Sequence, residues 1–227
     1  MQGSLPSHAV IWVALAGLAS APASQPVATV GGRVTIVERG NKPGTDIGQA
    51  VVWLEAVGAK APAPKAASVF TEGKEFRPRV SVIPAGSSIT FPNNDPFNHN
   101  VFSLSEEGMF DLGLYGRGQA KATKFTRPGV IRLYCNVHAT MAAFVVVLDN
   151  AWYAQPSADG TFSIAGVPPG KYTLRAWHER APQISREVDV GAQGITNLDL
   201  QFDGRGYKFV QHLNKFGQPY SKGGARY

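Results

Sequence analysis

Beyond its first 23 residues the chain has no sustained stretch with apolar residues at helical spacing, whereas two-residue alternation recurs along its length. Ile131, Leu133 and Cys135 alternate with Arg132 and Tyr134, and similar short runs are separated by turns rich in Pro, Gly and Asn. Such a pattern makes strands, because successive side chains of a strand point to opposite faces. Composition agrees: there are 25 glycines and 16 prolines in 227 residues, and charged residues are 17% against roughly 25% for an average soluble protein. The expected fold class is all-β.

Residues 66–148 read as one unit. Val69-Phe70 and Phe76 lead into Val80-Ser81-Val82, and Gly86 turns the chain into Ile89-Thr90-Phe91. Val101-Phe102-Ser103, a looser stretch at 110–115, and runs at 122–125, 130–135 and 144–148 follow. Short strands at this spacing predict a Greek-key sandwich. The flanks read as halves of a second sandwich. Val34-Thr35-Ile36-Val37 and Val51-Val52-Trp53-Leu54 precede the central unit. After it come a hairpin signal at Asp159-Gly160, a tight turn at Val167-Pro168-Pro169-Gly170, and strand patterns at 172–177, 188–190 and 198–202. Two strands cannot bury a face alone, so residues 24–65 are expected to pair with 149–203, with 66–148 inserted between them.

Residues 1–23 carry no Lys, Arg, Asp or Glu and hold a short apolar run from Ala9 to Ala19, too short to span a bilayer comfortably. With small residues at Ala21 and Ala23, the expectation is a signal peptide cleaved before Ser24, an uncleaved anchor being the alternative. Export to the periplasm would place the chain where disulfides form, yet it has one cysteine, so its stability must come from hydrophobic cores.

That cysteine, Cys135, stands in Tyr134-Cys135-Asn136-Val137-His138-Ala139-Thr140-Met141. Alternation points its thiol inward, at the end of the core. A small buried hydrophobe is the bland explanation. A leftover cysteine in an exported chain asks for another. Thiolate, imidazole and thioether together select copper or zinc over hard cations, and the thioether favours copper. Structural zinc sites rarely spend a position on thioether. His99, after the Pro- and Asn-rich loop that starts at Phe91, supplies a second imidazole, although alone it would pass for a surface or capping residue. Two imidazoles, one thiolate and one thioether are the donors of a blue-copper electron-transfer site, with methionine as the weak axial ligand.

The pattern Phe76-x-Pro78, Gly86, Phe91-x-Asn93-x-Asp95-x-x-x-His99-Asn100-Val101, Pro128-Gly129, Tyr134-Cys135-x-x-His138-x-x-Met141 resembles the plastocyanin-like cupredoxins, and its short ligand loop is most similar to that of amicyanin. Ala142-Ala143 departs from the glycine common there after the methionine. The resemblance implies one type 1 copper held by His99, Cys135, His138 and Met141. It further implies an Asn100 backbone N–H donating to the Cys135 sulfur, and His138 exposing a ring edge where an electron enters. Asn93 and Asp95 are expected to shape the loop. The flanks, through Gly32-Arg33-Val34, Ala50-Val51-Val52, Asp159-Gly160-x-Phe162-x-Ile164 and Val167-Pro168-Pro169-Gly170-x-Tyr172-x-Leu174, resemble the carboxypeptidase regulatory-like, transthyretin-type sandwich. Its members are scaffolds or binding modules, so this resemblance implies little about function. His178, at a strand end with no second ligand near it in sequence, is expected to be structural.

Residues 204–227 hold five basic and no acidic residues, interleaved with Tyr207, Phe209, Phe216, Tyr220 and Tyr227, in a chain of formal net charge +6. The segment is either a solvated or loosely docked terminus or a surface for an acidic redox partner or anionic lipid. Nucleic acid is not expected as a partner of an exported chain. The leading expectation is an electron carrier without enzymatic activity; the rivals are a copper-delivery protein and a cell-envelope binding module with an ancillary copper site.

Overall fold

The computed structural model describes residues 27–59 and 61–220. The expected signal peptide and its cleavage site lie outside them. Apart from one 3-10 turn at Ile47–Gln49, every regular element among the described residues is a strand. The protein is all-β, built as two sandwiches stacked on each other.

In the outer sandwich the long strand Ala28–Glu38 lies between Thr161–Val167, to which it is antiparallel, and Ile195–Asp203, to which it is parallel. The opposing sheet runs in the order Tyr153–Ala154, Val51–Glu55, Gly170–His178, Ala181–Val190. Apart from the short strand Lys42–Pro43, which pairs with Ala28–Glu38, strands that precede residue 66 thus find their neighbours after residue 150. Their inward faces share one core that includes Val30, Val34, Val52, Leu54, Ile164, Leu174 and Phe202. Gly32 sits where the pairing with the last strand shifts register, and a Cβ there would lie 2.0 Å from the Leu198 carbonyl oxygen. Only a residue without a side chain lets the two backbones approach so closely.

The inner sandwich has a five-stranded sheet in the order Phe110–Tyr115, His99–Ser103, Gly129–Tyr134, Ala142–Leu148, Val80–Pro84. A three-stranded sheet in the order Ala120–Phe125, Ser87–Pro92, Ala66–Ser68 faces it. Ile89, Phe91, Val101, Phe125, Ile131, Leu133 and Val145 fill the space between, and Cys135 and Met141 belong to the same apolar cluster.

Two strands are buried on both faces, and their sequences run apolar without alternation, as double burial requires. Val52 and Leu54 point into the outer core, while Val51 and Trp53 meet Val80, Val82, Phe144, Val146, Leu148 and Trp177. Ala143, Val145 and Val147 point the other way, into the inner core. The Phe144 and Trp177 rings lie 5.0 Å apart, and Arg79 donates twice to the Glu179 carboxylate at 2.7 Å. Each fully buried side chain of this size contributes about 1.5–3 kcal/mol, so this apolar contact holds the sandwiches together as more than a hinge would.

Candidate metal centre

The site lies at the end of the inner sandwich where three chain segments converge. Strand His99–Ser103 opens on His99, and strand Gly129–Tyr134 stops one residue before Cys135. Tyr134 is paired with Phe102, which brings the two strand ends side by side. The loop after the cysteine is short and closed by its own backbone: Met141 N–H donates to the His138 carbonyl at 3.0 Å and Cys135 N–H to the Met141 carbonyl at 3.3 Å.

These constraints bring His99 Nδ1 to 3.5 Å and His138 Nδ1 to 3.8 Å from the Cys135 sulfur. The three donor atoms all lie within 4.8 Å of one another. His99 and Cys135 have no solvent exposure, and His138 is half-buried. A metal bound at about 2.0 Å from an imidazole nitrogen and about 2.3 Å from a thiolate sets those donors about 3.6–3.8 Å apart at tetrahedral to trigonal angles. The observed spacings fit a single ion.

His99 is held from behind. Its Nε2 lies 2.7 Å from the Asp95 carboxylate, which must accept from Nε2–H. Nδ1 is then left with its lone pair toward the sulfur, the carboxylate-to-histidine arrangement that fixes a ligand's tautomer. Asp95 is itself pinned by the N–H groups of Gly73 at 2.7 Å and Lys74 at 3.0 Å. These two residues form the turn of the hairpin between Phe70–Glu72 and Glu75–Arg77, at φ values of 63° and 59°. Both positions of such a two-residue turn require positive φ, which a glycine at the first supplies freely. Asn93 organises the rest of the loop: its amide donates to the carbonyls of Phe97 and Tyr115, and its oxygen accepts from Thr71 Oγ1 and Asp95 N–H.

Burial works against charge throughout. It pushes the Cys135 thiol up, while the N–H groups of Asn100, Val137 and His138, directed at the sulfur, favour the thiolate. Burial holds His99 below the usual imidazole range despite the opposing pull of Asp95. For His138 burial comes first, with His99 and Lys74 adding to the downward shift. Asp95 also loses solvation, but the Lys74 N–H, His99 and the Gly73 N–H outweigh that and lower its pKa. At neutral pH the set is two neutral imidazoles, a carboxylate and a thiol that a cation would ionise.

Of the residues singled out from the sequence, His99, Cys135 and His138 come together as donors. Asp95 braces His99, Asn93 ties the loop, and Asn100 serves the sulfur through its backbone and Asp111 through its side chain at 2.6 Å. Met141 is buried at the loop's end in the same cluster as Cys135. His178 stands outside this group, buried at its strand end 3.6 Å from Asp46. Sequence reasoning missed the hairpin turn that grips Asp95; Glu72-Gly73-Lys74-Glu75 between Thr71 and Phe76 is the signal that could have shown it. It also missed where the tail goes. Gly204 N–H donates to the Val37 carbonyl of the outer sandwich, and further on the tail reaches the inner one, where Lys215 N–H donates to Asn136 Oδ1 at 2.9 Å and Tyr220 Oη to the Cys135 carbonyl at 3.0 Å.

No family model and no curated protein matches the chain. Among solved structures it is similar to the Cu-containing nitrite reductase NirK of Thermus scotoductus SA-01, at 30% identity and TM-score 0.35, over 42% of this chain and 25% of that one. A reduced amicyanin variant is similar at 20% identity and TM-score 0.35, over 43% of this chain and 98% of its own. A purple cupredoxin from Nitrosopumilus maritimus is similar at 21% identity and TM-score 0.31, over 51% of this chain and 99% of its own.

Proposed function

We propose that this protein is an exported blue-copper electron carrier that holds one copper ion through His99, Cys135 and His138, with Met141 as the axial ligand. The observation that carries this reading is the convergence of two imidazole Nδ1 atoms on a buried, unpaired thiol at 3.5 and 3.8 Å. Soft sulfur with two imidazoles suits copper, and bound copper supplies a one-electron couple. The chain's own residues do the rest. Asp95 holds the His99 ring in one orientation for both oxidation states, which limits rearrangement when an electron moves. The N–H groups around Cys135 stabilise thiolate charge, and complete burial of Cys135 and His99 keeps water from the donors. Half-buried His138, whose ring lies 5.3 Å from that of Phe97, is where an electron would pass to or from a redox partner.

The copper-loaded protein is expected to show an intense visible thiolate-to-copper band, absent in Cys135→Ser. A colourless Cu(II) complex of the unaltered protein would overturn the proposal. Weak, readily exchanged Cu(I) would point to copper delivery instead. A stability gain from a small ligand without copper would point to a binding module.

A further inference from the structure

The C-terminal segment makes more contacts with the ligand loop than a passing tail needs. Lys215 N–H donates to Asn136 Oδ1 at 2.9 Å, and Lys215 Nζ pairs with Asp111 at 2.7 Å. The Tyr220 hydroxyl donates to the Cys135 carbonyl at 3.0 Å. Ahead of these anchors in the chain the His212 ring stacks on Tyr134, at 4.3 Å between centroids and 19° between planes, with its edge against Phe102 at 6.2 Å. Tyr220 closes on the same imidazole edge-on at 5.4 Å. His212 Nδ1 lies 2.8 Å from the Leu213 carbonyl oxygen. Asn214 fixes the bend that makes this possible, accepting from the N–H groups of Phe216 and Gln218. The segment has no regular secondary structure, so these side chains and this bend are what hold it in place.

We infer that residues 207–220 form an intramolecular clamp on the Cys135–His138–Met141 loop, with His212 and Tyr220 as its positioning residues, and that the clamp slows opening of the loop and therefore release of bound metal. The metal part of this rests on the copper proposal; the loop part does not. The physical reason is local. The ligand loop is closed by two backbone bonds of its own and by N–H groups directed at the Cys135 sulfur, and a short loop closed mainly from within opens less readily when groups outside it share the constraint. Tyr220 reaches the loop at the Cys135 carbonyl and His212 stacks on Tyr134, so they act through the loop backbone and through Tyr134.

The test uses full-length His212→Ala, Tyr220→Phe and the double variant, with His212→Phe as the substitution that keeps the stack and loses the ring nitrogens. Amide hydrogen exchange at residues 135–141 is measured on the metal-free proteins, and Cu(I) release to a chelator on the loaded ones. Losing a residue that bonds a metal ligand directly typically costs about 10- to 100-fold in affinity; His212 acts one step further out, so His212→Ala is expected to speed release by up to about tenfold and the double variant by more. Loop exchange should rise in the same order while exchange in the outer sandwich stays unchanged, which shows the fold intact, and His212→Phe should fall between. Faster loop exchange with no visible band in the unaltered protein would uphold the clamp and sink the copper reading. Unchanged loop exchange in the double variant, or faster exchange spread over the whole chain, would overturn the clamp.

Discussion

The two sandwiches are built from the same materials and differ in where they bury polar groups. In the outer one the shared core is apolar, and His178 and Asn150 are its buried polar residues among those described. The inner one buries Ser81, Ser87 and Ser103 elsewhere, but Thr71, Asn93, Asp95, His99, Asn100 and Asn136 gather near one end. A buried polar group left unpaired costs about 1–3 kcal/mol, and a sandwich does not need such groups to be stable. The inner end offsets that cost by linking Thr71, Asn93, Asp95 and His99 to one another, while Asn100 donates to Asp111 and Asn136 accepts from Lys215. Concentrated, mutually satisfied polarity around donors that face each other marks a ligand site; scattered polarity under a sheet rim does not.

This contrast can be broken most forcefully in the outer core. Leu174→Ala should cost about 2–5 kcal/mol of unfolding free energy yet leave the visible band of the copper-loaded protein where it was. A shifted band would mean that the outer core tunes the site. The next largest effect belongs to the polar end: Asp95→Asn, which keeps the shape and loses the carboxylate, should weaken copper binding by about 10- to 100-fold with a smaller change in apo-protein stability. Equal losses in both would make Asp95 a folding residue. Between the sandwiches, Glu179→Gln removes the charged acceptor of Arg79 and should cost about 1–2 kcal/mol, read from urea midpoints. The smallest effect concerns the tail's attachment. Burial opposes ionisation of Asp111, but bonds from Lys215, the Gly113 N–H and Asn100, with the Lys215 charge, lower its pKa overall. Because the folded value lies below the unfolded one of about 3.9, its contribution is present above that pH and is lost as pH falls through the folded value. Partly exposed, the pair is worth about 1 kcal/mol or less. The stability difference between the unaltered protein and Asp111→Asn should therefore be present at neutral pH and vanish in acid; a difference that persists there would remove charge as its cause.

The strands were legible because alternation and turn residues are local signals. Ile131, Leu133 and Cys135 do lie on the inner face, and Val51–Glu55 shows its double burial as an unbroken apolar run. Two of the three groups that come together were legible as neighbours, since Cys135 and His138 stand within one short loop. The brace behind His99 was harder, because Gly73 and Lys74 meet Asp95 only once a hairpin folds across it. The tail was not legible at all: charge and aromatics describe its composition, and neither tells where it docks.

By itself, the sequence determined an all-β chain, the residue types able to bind a soft metal and the end of the strand on which the thiol sits. These follow from side-chain chemistry and a two-residue period, which act over a few positions. Tertiary structure alone decided that two sandwiches share an apolar face, that Asp95 orients His99, and that Tyr220 reaches the Cys135 carbonyl. Each of these joins groups far apart in the chain, and their meeting depends on how whole sheets pack, a collective outcome that no local pattern encodes.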